Sequence, residues 1–291
     1  MRSAQSERAA GRESAPDGGG AVTDAVLLIG HGSRDERGMR ECETLVLAVE
    51  RTLTGWRAPV IRCFLELRTP GVTDGLAECH RLGARRVAGV PLFLLAGGHV
   101  KCDLPRLVAA AQRQYPTMRV TLGDELAARP VLCEIMHRRL RQAGWRDEER
   151  EETGIVLAAR GNRESEAQMV FAAVAADLQR LTRAKRVWTA SLIGAGARLE
   201  TVLAACRADR RLARVYIVPY VLFDGLILRD LHERVAHVVG AHTGAAPVVT
   251  ISGHIGPDER LSRDIAAQIA EWLTTYARER DKIWENRLCW T

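Results

Sequence analysis

The feature that most restricts this chain is that its pattern is written twice. The run "AVLLIGHGSRDE" at 25–36 returns as "GIVLAARGNRES" at 154–165. "PVIRCFLELRT" returns as "RVWTASLIGAG", "RVAGVPLFLLAGGHVKCDL" as "RVYIVPYVLFDGLILRDL", and "MRVTLGDELAARPVL" as "PVVTISGHIGPDERL". Equivalent landmarks stay about 130 residues apart and keep their order, which marks an internal duplication.

Within each copy, short apolar runs alternate with helical stretches. The first run precedes a helix over 36–54, with Met39, Leu45, Val46, Val49 and Leu53 on one face. A second helix is expected over 70–82, a third in "LPRLVAAAQRQY" and a fourth in "PVLCEIMHRRLRQA". The strands are apolar throughout rather than alternating, as in a parallel sheet covered on both faces. The expected fold class is therefore α/β: two similar domains, each a parallel sheet with helices on both faces, and a cleft between them. The expected boundaries are a tail at 1–22, a first domain at 23–146, a second at 152–275 and an extension at 276–291, with the charged linker "GWRDEEREETG" between the copies.

Composition narrows the classes of function. Of 291 residues, 47% are hydrophobic and 27% charged, as in globular proteins. The formal charge of +6 comes from scattered arginines, with no basic block of the kind a nucleic-acid arm carries. It suits an acidic small molecule. Residues 1–22 lack an apolar core and read as a disordered tail rather than a signal peptide. No apolar run approaches the roughly 20 residues of a membrane helix. The seven cysteines include no CxxC pair and read as mostly reduced thiols, so a cytoplasmic location is expected.

Open parallel sheets bind ligands at the carboxyl ends of their strands. In the first copy those ends carry His31, Glu66 and, in the loop after the third strand, His99. Two imidazoles and a carboxylate at one sheet edge are a divalent-metal constellation. Gly30, Gly32, Gly97 and Gly98 beside the histidines leave room for tight turns and a bulky ligand. The second copy lacks the constellation: His31 aligns with Arg160, Glu66 with Ile193 and, allowing one gap, His99 with Leu226. Any metal belongs to the first copy, while the second is expected to wall the cleft and contact substrate. His254 ends a strand of the second copy and reads as a loop residue. The remaining histidines, including His80 and His137, read as solvated, and Ser33 as the cap of the first helix.

At "LLIGHGSRDERG", "CFLELRTPGV" and "GVPLFLLAGGHVKCDLP" the sequence resembles the sirohydrochlorin chelatases of the CbiX/SirB type, over about 24–275. The resemblance implies a class II chelatase-like fold and insertion of Co(II) or Fe(II) into sirohydrochlorin, for cobalamin or sirohaem synthesis. It implies no cofactor beyond the substrate metal, Co2+ or Fe2+. The implied partners are sirohydrochlorin and a divalent metal ion, with no nucleic acid and no membrane; a monomer is expected, its fused repeat standing in for a homodimer. His31 and His99 match the family's metal site, Glu66 its acidic residue, and Asp103 an aspartate after the second histidine with a loop or helix-capping role.

The macrocycle carries eight carboxylates, for which Arg34 and Arg160 are the chosen partners, with Gly30, Gly32, Ser33, Gly97 and Gly98 lining the substrate site. Glu66 is suited to orienting a histidine, to ligating the metal or to accepting a pyrrole proton, and the residues admit all three. The alternatives are a chelatase for another metal or tetrapyrrole, nickel included, and a non-catalytic two-lobed binding protein.

Overall fold

The structure, a computed structural model, describes residues 23–95, 97–240 and 246–278. The tail at 1–22, His242 and the end of the expected extension lie outside the described residues, as does the side chain of His99. The first copy runs β1 (Asp24–Gly30), α1 (Glu36–Thr52), β2 (Val60–Phe64), α2 (Val72–Arg81), β3 (Arg86–Pro91), α3 (Gly98–Gln114), β4 (Arg119–Leu122) and α4 (Pro130–Gln142). After a short 3-10 turn at Asp147–Glu152, the second runs β5 (Thr153–Ala159), α5 (Ser165–Thr182), β6 (Arg186–Ser191), α6 (Leu199–Ala208), β7 (Arg214–Pro219), α7 (Leu226–Gly240), β8 (Val248–Ile251) and α8 (Glu259–Arg278).

Each copy forms one four-stranded sheet, ordered β2-β1-β3-β4 and β6-β5-β7-β8, and every pair of neighbours is parallel. Strand β1 is buried on both faces because its residues alternate between two cores. Ala25, Leu27 and Ile29 face outward onto α2 and α3. Val26 and Leu28 face inward. Strand order reverses between β1 and β3, so a crevice is expected outside their carboxyl ends.

The inward side is shared. Rows from α1 (Leu45, Val49) and α4 (Leu132, Ile135) join rows from α5 (Phe171, Leu178) and α8 (Leu261, Ile265, Ile269) in one cluster with the inner faces of β1 and β5. Helix α1 packs on α8, and α4 on α5. The two sheets therefore enclose a single layer of helices, and neither copy closes its own core.

Three local expectations are corrected. The N-cap of α1 is Asp35, whose carboxylate accepts from the Arg37 N–H at 2.9 Å, whereas the Ser33 hydroxyl accepts from the Asp35 N–H and shapes the turn before it. Helix α3 begins at Gly98, six residues before Leu104 where its start is expected, so Pro105 and Asp103 lie inside it and Asp103 caps nothing. The proline forfeits one backbone hydrogen bond. Burial of Val100, Leu104, Val108 and Ala111 along one face offsets that loss. Helix α2 starts at Val72 behind Gly71, whose N–H donates to Asp74 at 2.9 Å.

The shared layer generates a prediction. Each fully buried Leu or Ile contributes about 1.5–3 kcal/mol. Exposing the inner rows of α1 and α4 then consumes the roughly 5–15 kcal/mol that holds a domain folded. A fragment of residues 23–146 is expected to be a homodimer, or unfolded. Sedimentation of that fragment checks this, and a monomer with cooperative unfolding overturns it.

Candidate functional site

The carboxyl ends of β1 and β2 are stitched by two further peptide contacts beyond the strands. The Leu65 N–H donates to the Gly30 carbonyl at 2.9 Å, and the Glu66 N–H to the His31 carbonyl at 3.1 Å. These bring the two side chains together, with His31 Nδ1 3.3 Å from Glu66 Oε1. The imidazole also meets the Phe93 ring edge-on, at 6.0 Å between centroids. His31 keeps 36% of its side-chain surface and Glu66 47%, so both face solvent from a fixed base.

Gly32 makes this approach possible. Its φ is +92°, and an added Cβ would lie 1.8 Å from the Glu66 carbonyl oxygen. The space expected for a ligand beside this glycine is filled by the protein's own backbone. Likewise, an added Cβ at Gly30 would press on the Phe64 ring, and one at Gly98 would reach a Glu164 carboxylate oxygen at 2.8 Å. Gly97 is the N-cap of α3, and His99 lies in that helix's first turn. The structure thus unites His31 and Glu66, and sets His99 on the neighbouring element of the same sheet edge.

The second copy repeats the scaffold with other side chains. The Leu192 N–H donates to Ala159 O at 3.0 Å, and Ile193 N–H to Arg160 O at 2.7 Å. Gly161 has φ +100° and the same 1.8 Å approach, here to the Ile193 carbonyl. Arg160 and Ile193 therefore stand on the backbone positions of His31 and Glu66. The core-facing row of α3 (Val100, Leu104, Val108, Ala111) returns in α7 as Ile227, Leu231, Val235 and Val238, which keeps His99 matched with Leu226.

The strand-end loops of the two lobes meet. Lys101 Nζ of α3 lies 2.7 Å from Glu166, and Arg229 of α7 lies 2.5 Å from Asp35. The Glu166 carboxylate keeps Lys101 above the usual lysine range, against the opposing effect of burial. Arg68 pairs with Glu36 and with the Ser33 carbonyl. Arg34 and Arg160 are exposed and pair with none of the described residues. A cavity of about 320 Å³ at this seam is lined by Arg37, Asp224, Leu228, Arg229, His232 and Glu233, and neither His31 nor Glu66 borders it.

One seam contact escaped the sequence reading. His254 Nε2 lies 2.9 Å from Glu41 Oε2, which also accepts the Asp224 N–H at 2.6 Å. Burial alone would raise the Glu41 carboxyl; the His254 and Asp224 bonds and the nearby Arg139 charge outweigh it and hold the group below its ordinary value. His254 was marked by its place at a strand end, but nothing in the α1 sequence distinguishes Glu41. His137 is also no solvated residue: it is half-buried, and burial, with Arg141 beside it, lowers its pKa.

The buried thiols are inert. Burial raises Cys42, Cys133 and Cys206 to about 11 and Cys79 to about 12, so they remain protonated at neutral pH. Among the described residues no three His, Cys, Asp or Glu side chains cluster to hold a metal, and no helix is long and apolar enough to cross a membrane.

Comparison with known proteins finds relatives that span both copies. The CbiX family model matches the chain twice, over residues 25–143 and 154–272. The chain is 28% identical over 236 residues to the sirohydrochlorin ferrochelatase of Bacillus subtilis, covering 81% of this chain and 86% of that protein. It is 29% identical over 261 residues to the sirohydrochlorin cobaltochelatase of Priestia megaterium, covering 88% and 82%. The solved structure of SirB from Bacillus subtilis with Fe3+ superposes with a TM-score of 0.75 at 25% identity, covering 86% of this chain and 95% of that one.

Two outcomes follow from the geometry. Gly161→Ala, in the copy that lacks the His31–Glu66 pair, is expected to lose about 1–3 kcal/mol, because the carbonyl it meets is backbone and its φ is positive; an unchanged thermal midpoint overturns the scaffold argument. Glu41→Gln is expected to cost about 1–3 kcal/mol at pH 7. A depressed carboxyl contributes stability above its unfolded pKa and loses it as pH falls through the lower folded value. The deficit of Glu41→Gln should therefore shrink below the ordinary value of 4.5. Denaturant titrations at pH 7 and pH 3 check this; a deficit that grows on acidification refutes it.

Proposed function

Because the chain belongs to the CbiX family across both of its halves, we propose that it is a sirohydrochlorin chelatase, a lyase inserting Fe(II) or Co(II) into the sirohydrochlorin macrocycle for sirohaem or cobalamin synthesis. The reaction replaces two pyrrole N–H protons with one M2+ ion. The protein must present a partly dehydrated ion, hold the ring against it and let two protons depart.

The observation that carries this reading is the His31–Glu66 pair. With Glu66 3.3 Å from Nδ1, the favoured neutral tautomer carries its proton there, which fixes the imidazole and makes Nε2 the proposed ligating nitrogen. Of the three roles the residues admitted for Glu66, this contact favours orientation of the imidazole. His99, in the first turn of α3, is the second proposed ligand. Two imidazoles and solvent bind M2+ at moderate strength, as suits an ion that has to leave for the macrocycle. The exposure of both His31 and Glu66 leaves the ion reachable from solvent, by metal and macrocycle alike.

Arg34 and Arg160, exposed and unpaired among the described residues, are the proposed partners of the substrate carboxylates. The turns at Gly30, Gly32, Ser33, Gly97 and Gly98 complete the proposed substrate edge. As relatives named for iron and for cobalt match about equally, both metals stay within the proposal. The mildly basic chain suits the acidic macrocycle, and a cytoplasmic monomer is the proposed working form.

Anaerobic incubation with sirohydrochlorin and Fe2+ or Co2+, followed by visible absorbance, tests the proposal. Multiple turnovers are expected; stoichiometric binding without turnover identifies a carrier instead. His31→Ala is expected to lower kcat/KM by about 10²-fold or more. Glu66→Gln is expected to weaken metal binding by about 10–100-fold. A His31→Ala protein that turns over like the parent moves the site elsewhere.

A further inference from the structure

In the second copy the backbone that presents a metal ligand and its carboxylate instead presents an arginine and an aliphatic side chain. Ile193 stands on the Glu66 position and is 47% exposed. Leu226 opens α7 at the neighbouring strand end and is 68% exposed. Arg160, on the His31 position, is exposed between them in strand order, because β5 lies between β6 and β7. Single exposed aliphatics are ordinary. Two of them at strand ends whose equivalents in the first copy are polar, flanking in strand order a cation that pairs with none of the described residues, put mixed chemistry on one sheet edge that folding does not require.

This edge is continuous with the His31 edge. The α3 turn that carries His99 abuts the loop after β5, with Gly98 against Glu164 and Lys101 on Glu166. On the other side Gly38 of α1 lies so close to the loop before α7 that an added Cβ would be 2.3 Å from the Asp224 carbonyl.

We propose that Ile193 and Leu226 form an apolar platform on which the flat face of the tetrapyrrole rests, beside Arg160, while the first copy supplies the metal. The inference rests on the chelatase reading. Its occupant is a planar conjugated ring with an anionic rim, whose face suits the aliphatic side chains and whose edge suits a guanidinium. A platform built from second-copy side chains explains the division of labour: ring affinity sits in one lobe and metal affinity in the other, so the ring is held against the ion without taking its ligands.

The test is sirohydrochlorin binding to the metal-free full-length protein, followed by absorbance, for the parent, Ile193→Asp, Leu226→Asp and the conservative Ile193→Leu. Each aspartate variant is expected to weaken ring binding by about tenfold or more. It should also raise KM for sirohydrochlorin more than it lowers kcat. Ile193→Leu is expected to bind as the parent does. Co2+ alone is the control probe, and its affinity should be the same in all four proteins. Because both side chains are exposed, thermal midpoints should stay close to the parent's. If the parent binds the ring and the aspartate variants bind it equally well, the platform is overturned and the chelatase reading stands. If the parent neither binds nor metallates sirohydrochlorin, both readings fall together.

Discussion

Two parallel sheets, each with apolar residues on both faces, need four covered faces. The outer faces are covered by α2 and α3 in one copy and by α6 and α7 in the other. The inner faces are covered once, by a layer that α1, α4, α5 and α8 build together. That shared layer is the constraint on which the rest depends. It sets the relative position of the two lobes, and so it sets which strand ends meet. The ion pairs at the seam, Lys101 with Glu166 and Arg229 with Asp35, are partly exposed and contribute little to stability on their own. They refine an arrangement that buried aliphatic rows have already imposed.

Within that frame the same peptide geometry serves two chemistries. A left-handed glycine after the first strand of each copy lets the turn after the second strand close to within van der Waals distance. In one copy the residues carried on that contact are His31 and Glu66; in the other they are Arg160 and Ile193. Duplication preserved the backbone because its alternatives clash, and released the side chains because they point into solvent. A chelatase benefits from this asymmetry, since its two substrates have opposite demands: a small cation wants lone pairs, and a large polyanion wants apolar area and guanidinium groups.

Much of this was legible without coordinates. The apolar strands were readable because residues buried on both faces leave no polar alternation. The repeat was readable because its landmarks kept their spacing. The pairing of Arg160 with His31 and of Ile193 with Glu66 could be read from alignment of the two copies, and the backbone contacts bear it out. The start of α3 was obscured because Gly97, Gly98 and Pro105 signal a loop locally, whereas burial of Val100 and Leu104 favours the helix. Ser33 and Asp35 are both good caps by type, and the turn geometry chose between them. Glu41 and His254 lie 213 residues apart, and no local pattern connects a helical glutamate to a histidine in the opposite lobe.

The sequence by itself determined the fold class, the duplication and which copy carries His31, Glu66 and His99 at its strand ends, because these depend on periodicity and residue type, which are local. The tertiary structure alone decided that the copies share one core, that Glu66 reaches His31 through a glycine with no room for a side chain, and that Lys101, Arg229 and Glu41 join the lobes at the seam. Those outcomes depend on which surfaces exclude water together, and that is a property of the packed chain rather than of any stretch of it.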